Sequence, residues 1–534
     1  MKGLLQRGIL AGALVFLAVA QGGCAVSEAD VHRWETTERG PDKLYAVVTH
    51  DKYSQQLRVE AALSFIRIKP RSGKRIGMLF LIDGYDGEGG VKVPGALPTL
   101  KDEPRRKIVD GMVPELVKQI TATPPAHNAD GTLPADPSIP FKDAAFGMLS
   151  HEPTLVSDEK NKADLTAALI TWSQTSFEDR LENPSQAYGV ETMMRFFGAP
   201  AVKPLPGLIR EESTKIDRIA ALVADIGDAD TKQKASEQLV TLAKTLDAPA
   251  WRDKQTPLVK AANERAGQKA TDDQVKAQVL KFQDQEVTKI FSAMKRVGGR
   301  PVIDYCLAYA AQKDASEDRR KAAFAALEGR IEKQNTADVD KLFLIAKDDA
   351  TPDSVRDLAF NRIGELPKEL VVPKLYAMFD TKKWKVRWVA ASLVLKGAKT
   401  SDLAEFMRHL PATSASKMGM SEPITYAGLI NGKGRQPPTE IEGNPKETMQ
   451  GYMKAHEIGP KLVGIAYYYG GKKSDVDVIK SYESDNSPVP KCEKDDECEW
   501  KCTVPKAPGS QEMDEKTITT VGEFVKFCVE PSLQ

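Results

Sequence analysis

The stretch TPDSVRDLAFNRIGELPKELVVPKLYAMFDTKKWKVRWVAASLVL, residues 351–395, holds two copies of one phrase. Val355-Arg356-Asp357-Leu358-Ala359 returns as Val386-Arg387-Trp388-Val389-Ala390, its arginine 31 positions further on. That interval is the length of one helical hairpin, and it predicts a stacked helical repeat. Thr351 is expected to cap a helix with Pro352 at its first position and Asp353 near the positive end of the macrodipole. Pro367 stops that helix. Residues 371–379 and 386–395 then read as the two helices of the next hairpin, and a further helix runs from Ser401 to Leu410.

The frame extends toward the N-terminus as Arg58-x-x-Ala61, Arg218-x-x-Ala221 and Arg320-x-x-Ala323, beside Arg356-x-x-Ala359 and Arg387-x-x-Ala390. A small residue three positions after the arginine lies on the same helical face and lets a neighbouring helix approach. The arginine lays its stem along the apolar seam and offers its fork to turn carbonyls or to an Asp of a neighbouring unit. This pattern resembles the HEAT repeat. The resemblance covers residues 301–410, with echoes at 41–70 and 199–247. It implies an all-α, irregular, curved α-solenoid that binds other proteins along one surface and carries no catalytic residues of its own. Some HEAT-like repeats resemble those of phycobilin lyases, so the fold alone does not forbid chemistry.

At 534 residues the chain is too long for one ordinary core, which favours several domains or an array whose units pack on their neighbours. Aromatics are only 7% of the sequence, and its Ala-, Leu-, Lys- and Glu-rich composition favours helix over sheet. The formal net charge is zero, so no global field steers the protein to nucleic acid or an anionic surface.

The first residues read as an address. Lys2 and Arg7 precede an apolar run, Gly8 to Ala20, that is short for a bilayer span. Ala18-Val19-Ala20 fits ordinary signal peptidase. Gly22-Gly23-Cys24 resembles the end of a bacterial lipobox, although Gln21 occupies the usual aliphatic position. The expectation is a signal peptide over 1–23 and lipidation of Cys24, with soluble export after Ala20 as the alternative. Ala25 rather than Asp after that cysteine implies, by resemblance to lipoprotein sorting, the periplasmic side of the outer membrane of a Gram-negative cell.

Beyond the leader, residues 24–40 read as a tether, 41–122 as N-terminal helical repeats and 123–140 as a proline-rich linker. Central helical repeats follow over 141–300 and HEAT-like repeats over 301–410. Residues 411–448, rich in Gly, Pro, Ser and Thr, read as a long loop. Residues 449–534 form a C-terminal helical cap. Helix starts are expected at Thr256-Pro257 and Thr271, the latter opening about 26 residues with an apolar stripe of Val275, Val279, Phe282, Ile290, Met294 and Val297. Cys492, Cys498, Cys502 and Cys528 form an even cluster in an exported chain and read as two disulfides with three possible pairings. Cys528, on a final helix over 520–529, is expected to bond back to the 492–502 loop and staple the cap. Cys306 sits in an apolar helical run and reads as a buried free thiol.

Sites of chemistry are sparse. His456-Glu457 lacks the second histidine of H-E-x-x-H, because Pro460 stands there. Neither a nucleophile elbow nor a phosphate-binding P-loop is present. Asp83, Asp86 and Glu88 sit in a glycine loop without the calcium frame of an EF-hand. The acidic residues around Cys498 read as a solvated loop, and of Tyr467, Tyr468 and Tyr469 at least one must face outward. No catalytic residue, metal ligand or cofactor is expected. The partners are unidentified envelope proteins, the membrane through a lipid on Cys24, and no nucleic acid. An envelope enzyme subunit and a metal- or ligand-binding sensor are the competing readings.

Overall fold

The computed structural model describes residues 26–71, 73–87, 90–181, 187–413, 418–432, 441–492, 499–506 and 510–534. The signal-peptide reading, Cys24, Glu88 and Cys498 fall outside these. The described chain is mostly helical with a few short strands. It divides into two compact units, residues 1–238 and 239–534.

In the first unit, residues expected as a tether instead carry helix α1, Glu28–Trp34. Ser27 and Asp30 form a reciprocal capping box at its start, and Val31 and Trp34 are buried. Helices α2 (Gly40–Thr49) and α3 (Gln55–Arg67) form the first hairpin. The apolar run at 78–82 is wound as a short helix ending in a π-turn. After it comes a small antiparallel hairpin, β1 (Tyr85–Asp86) and β2 (Lys92–Val93), where a polar turn was expected. Gly84 leads into it with φ +87°, and a Cβ there would lie 2.8 Å from the Val93 oxygen. Then follow α4 (Asp102–Ile120), α5 (Ile139–Ser150), α6 (Glu159–Gln174), α7 (Phe177–Leu181), α8 (Val190–Phe197) and α9 (Ile216–Ile226). Helices α3, α4, α6, α8 and α9 pack in succession, each on the next. Helix α10, Ala229–Asp247, carries the chain across the boundary between the units.

The second unit opens with α11 (Pro249–Arg265) and α12 (Asp272–Val297). The expected start at Thr256 is not used. Pro249 takes the first turn, and Pro257 lies inside the helix with the Thr256 hydroxyl donating to the Arg252 carbonyl. Helix α12 begins where the sequence reading put it, with a capping box between Thr271 and Gln274. Its buried stripe differs at one position. Phe282 is 37% exposed, and Gln283 is buried in its place because its amide donates to the Leu246 carbonyl at 2.7 Å.

Three hairpins follow: α13 (Arg300–Ala310) with α14 (Glu317–Ala326), α15 (Thr336–Lys347) with α16 (Asp353–Ile363), and α17 (Lys368–Tyr376) with α18 (Trp384–Leu395). Helix α14 packs on α12 and α16 on α14, so second helices meet second helices. Pro352 is the N-cap residue of α16 rather than its first residue, and Thr351 is buried behind it.

Helix α19 spans Leu403–Thr413. The segment expected as a long loop then holds α20, Ser421–Ile430, whose Glu422, Tyr426, Ala427, Leu429 and Ile430 are all buried. It packs between α18 and α22 (Ile458–Ala466). Helix α21, Pro445–Tyr452, lies so close to α22 that a Cβ on Gly464 would come within 2.7 Å of the Met453 nitrogen. Tyr468 is buried, while Tyr469 faces solvent.

The cap is not wholly helical. Strands β3 (Lys501–Pro505) and β4 (Met513–Thr517) pair antiparallel ahead of α23 (Val521–Phe524) and its π-turn continuation. Cys502 on β3 is disulfide-bonded to Cys528 in that turn, 26 positions away. Cys492 is also disulfide-bonded. Cys306 is a buried free thiol, its pKa pushed up by burial. Among the described residues no helix is long and apolar enough to cross a membrane.

The bridge closes the β3–β4 hairpin onto the last helical turn, and opening it releases a loop of 26 residues. Cys528→Ser is expected to lower unfolding free energy by about 2–4 kcal/mol. Urea denaturation of the variant and the parent, each with and without reductant, checks this. An unchanged midpoint for Cys528→Ser is the contrary outcome.

Candidate functional site

Each arginine of the repeated phrase was expected to hold structure rather than to meet a ligand. Arg58, Arg320 and Arg356 occupy the fourth position of α3, α14 and α16. Each sends its Nε back ten residues to a carbonyl at the end of the preceding helix. The contacts are Arg58 to Val48 at 2.9 Å, Arg320 to Ala310 at 2.9 Å and Arg356 to Ala346 at 3.0 Å. A helix ends with unsatisfied carbonyls and partial negative charge, so a guanidinium there meets both needs. Arg356 goes further and donates to the Asp348 and Thr351 carbonyls, closing the whole turn between α15 and α16. The small residues three places on, Ala61, Ala323 and Ala359, are fully buried.

Arg387 holds the same fourth position in α18 and binds the Thr381 and Lys382 carbonyls. Its Nε instead donates to Glu422 of α20 at 3.0 Å. Both side chains are 2% exposed, and the Tyr426 hydroxyl also donates to Glu422. Desolvation raises the Glu422 carboxyl above its ordinary value, and Arg387 opposes that rise. Arg218 departs from the set. It sits at the third position of α9, is half exposed, and makes a bidentate pair with Glu191 at 2.8 and 2.6 Å. One residue of offset turns a side chain by about 100° around a helix, enough to take it from the seam to the surface.

Beside Arg387, two further links between successive hairpins come from arginines outside the repeated phrase. Arg319 reaches Asp247, Asp284 and Gln283, joining α14 to the ends of α10 and the middle of α12. Arg300 of α13 pairs with the buried Asp338 of α15. The signal was present as the Arg319-Arg320 doublet, whose two members serve different neighbours.

The first unit contains a different arrangement. Lys142 and Asp143 of α5 are fully buried, with the Lys142 amine 2.6 Å from the Asp143 carboxylate. Lys142 also donates to the Tyr188 carbonyl at 2.6 Å, and its amine lies 4.7 Å from the Trp172 ring centre. Asp143 receives Arg75 and the backbone amides of Ala187 and Tyr188. Arg180 lies over the same Trp172 ring and pairs with Asp136. Burial pulls the Lys142 amine down to about 7, and the neighbouring Arg75 and Arg180 add to the drop.

Arg75 connects this network to a cleft of about 860 Å³. The cleft is lined by the 74–87 segment together with Asp42, Lys92, Ala187 and Tyr188. Phe80 and Tyr85 stack at 3.7 Å on one side of it, with Tyr45 edge-on to both. Asp83 opens to solvent on one side, while the protein behind it desolvates its carboxyl and raises its pKa. The cleft thus gathers Asp83 and Asp86 from the glycine loop, where the sequence alone predicts a polar turn. Among the described residues, no group of three His, Cys, Asp or Glu is placed to hold a metal ion.

No protein-family model matches the chain, and no curated protein matches it.

Two outcomes follow from these contacts. Replacing Arg356 by Met strands three carbonyls and is expected to cost about 3 kcal/mol. Arg218→Met, at an exposed and solvent-screened pair, is expected to cost about 0–1 kcal/mol. Chemical denaturation of the two variants side by side tests the contrast, and equal losses would contradict the assignment. For Lys142, the unfolded chain keeps its proton up to the ordinary value of 10.5, whereas the folded protein releases it near 7. Between those values the unfolded state binds more protons, so stability rises with pH through that window. Denaturation of the parent protein at several pH values from 7 to 10 should show this rise, and Lys142→Met should flatten it.

Proposed function

We propose that the protein is an exported scaffold of HEAT-like helical repeats, an irregular α-solenoid that presents binding surfaces to other proteins of the bacterial cell envelope. The recurring fourth-position arginine carries this reading. One device closes hairpin after hairpin at Arg58, Arg320 and Arg356, and α12, α14 and α16 pack in succession as second helices. Stability assembled from neighbour contacts frees the outer faces for partners. Leu258, Leu280 and Phe282 on α11 and α12 are exposed beside a groove that Pro257 and Val279 help to line, and exposed apolar side chains so grouped suit protein contacts. The Gly22-Gly23-Cys24 leader supports anchoring through a lipid on Cys24 at the periplasmic side of the outer membrane.

Two measurements bear on this. A mass spectrum of the mature chain from membranes is expected to show a diacylglyceryl-modified Cys24 as its first residue. An unmodified N-terminus following Ala20 removes the anchor and leaves soluble export. Crosslinking in intact envelopes should join the parent protein to specific partners, with recovery cut at least about tenfold by Leu258→Asp with Leu280→Asp, as for loss of interface anchors. Equal recovery by parent and variant would count against this face.

A further inference from the structure

The cleft of the first unit has a chemistry of its own. Its described lining carries three acidic and three basic side chains, Asp42, Asp83 and Asp86 against Lys74, Arg75 and Lys92. Arg75 is engaged by the buried Asp143, and Lys92 lies 3.7 Å from Asp86. The side chains of Asp42, Asp83 and Lys74 make no hydrogen bond or ion pair among the described residues, and the charge that acts on Asp83 from outside the lining is that of His151. Three aromatic rings, Phe80, Tyr85 and Tyr188, share the same space with Leu79, Ile76 and Met78.

A charge balance of this kind argues against strongly ionic ligands. A multiply charged anion would meet two free carboxylates, and an organic cation would meet a free ammonium. A wholly apolar ligand would strip water from three charged groups without replacing their hydrogen bonds. What remains is a neutral molecule with apolar ring faces and a rim of groups that both donate and accept. Hydroxyls meet that need, since each can donate to a carboxylate or accept from an ammonium. The volume lies within the range that small-molecule sites occupy.

We propose that this cleft binds a neutral saccharide, with a sugar ring against Tyr85, itself backed by Phe80, and its hydroxyls bridged by Asp83, Asp42 and Lys74. The buried Lys142–Asp143–Arg75 network holds the floor on which these groups stand. It fixes Arg75 and the Ala187–Tyr188 backbone by direct hydrogen bonds and ion pairs. That part of the wall is therefore in place before a ligand arrives, and no binding energy is lost in ordering it. The assignment is independent of the scaffold reading, because it rests on the first unit's cleft alone.

Titration of the full-length protein with cellotriose, maltotriose and chitotriose, followed by calorimetry and saturation-transfer NMR, tests it. At least one of these trisaccharides is expected to bind with a Kd of about 1 mM or tighter. Tyr85→Ala and Asp83→Asn should each weaken that binding at least about tenfold. Asp83 is exposed, so Asp83→Asn keeps the test valid if Tyr85→Ala proves unstable by circular dichroism. Three results overturn the proposal. None of the trisaccharides binds, choline or benzoate binds more tightly than all of them, or saccharide binding is unchanged in Asp83→Asn.

Discussion

A guanidinium bonded to the end of the helix before it is the contact on which the helical hairpins depend. Where two helices meet at a tight turn, the last carbonyls of the first are turned into the protein and away from water. Left alone they would cost free energy on every hairpin. An arginine at the fourth position of the second helix is at the right height and on the right face to answer them. Its stem covers apolar surface, its fork takes the carbonyls, and its charge opposes the partial negative end of the macrodipole. Arg58, Arg320 and Arg356 do this within a single hairpin. Lysine would bring the charge but not the planar fork that lets Arg356 hold three carbonyls at once.

Joining one hairpin to the next needs a second set of polar contacts. Arg319, Arg300 and Arg387 each reach a carboxylate on a different helical element. The Arg387–Glu422 pair is the most deeply buried, and Tyr426 completes it. Buried ion pairs contribute little net stability, yet removing one partner is costly. Such a pair therefore discriminates between arrangements: α20 packed on α18 in another register would leave two uncompensated charges. The same reasoning applies to Lys142 and Asp143, whose misplacement would strand an ammonium among Trp172 and the α5 core.

The two units use their buried charge differently. In the second, the buried charges join one helix to another. In the first, the network lies behind a cleft and shares Arg75 with it. The β1–β2 hairpin and the π-turned 78–83 segment then place Phe80, Asp83 and Tyr85 at its mouth. An interruption of the helical pattern, which would be costly in a uniform array, is what creates a concave and chemically mixed surface here.

The sequence by itself determined what is local. Helical period, the Thr271 capping box and the position of the arginine phrase are set by residues within one or two turns of each other. The fourth-position arginines and their alanines were readable for that reason. Arg218 shows the limit, since a one-residue offset preserves the R-x-x-A spelling but changes the face. Tertiary structure decided what depends on distant partners. Gln283 displaced Phe282 from the core because a carbonyl at Leu246 awaited its amide. A segment rich in loop-forming residues became α20 because Arg387 and the aromatic surface around Tyr426 supplied its burial. The cleft, built from Asp42, the 74–87 segment and Tyr188, brings together residues over a hundred positions apart. No periodicity encodes such a meeting; it follows only when helices pack and a buried lysine, aspartate and arginine find one another.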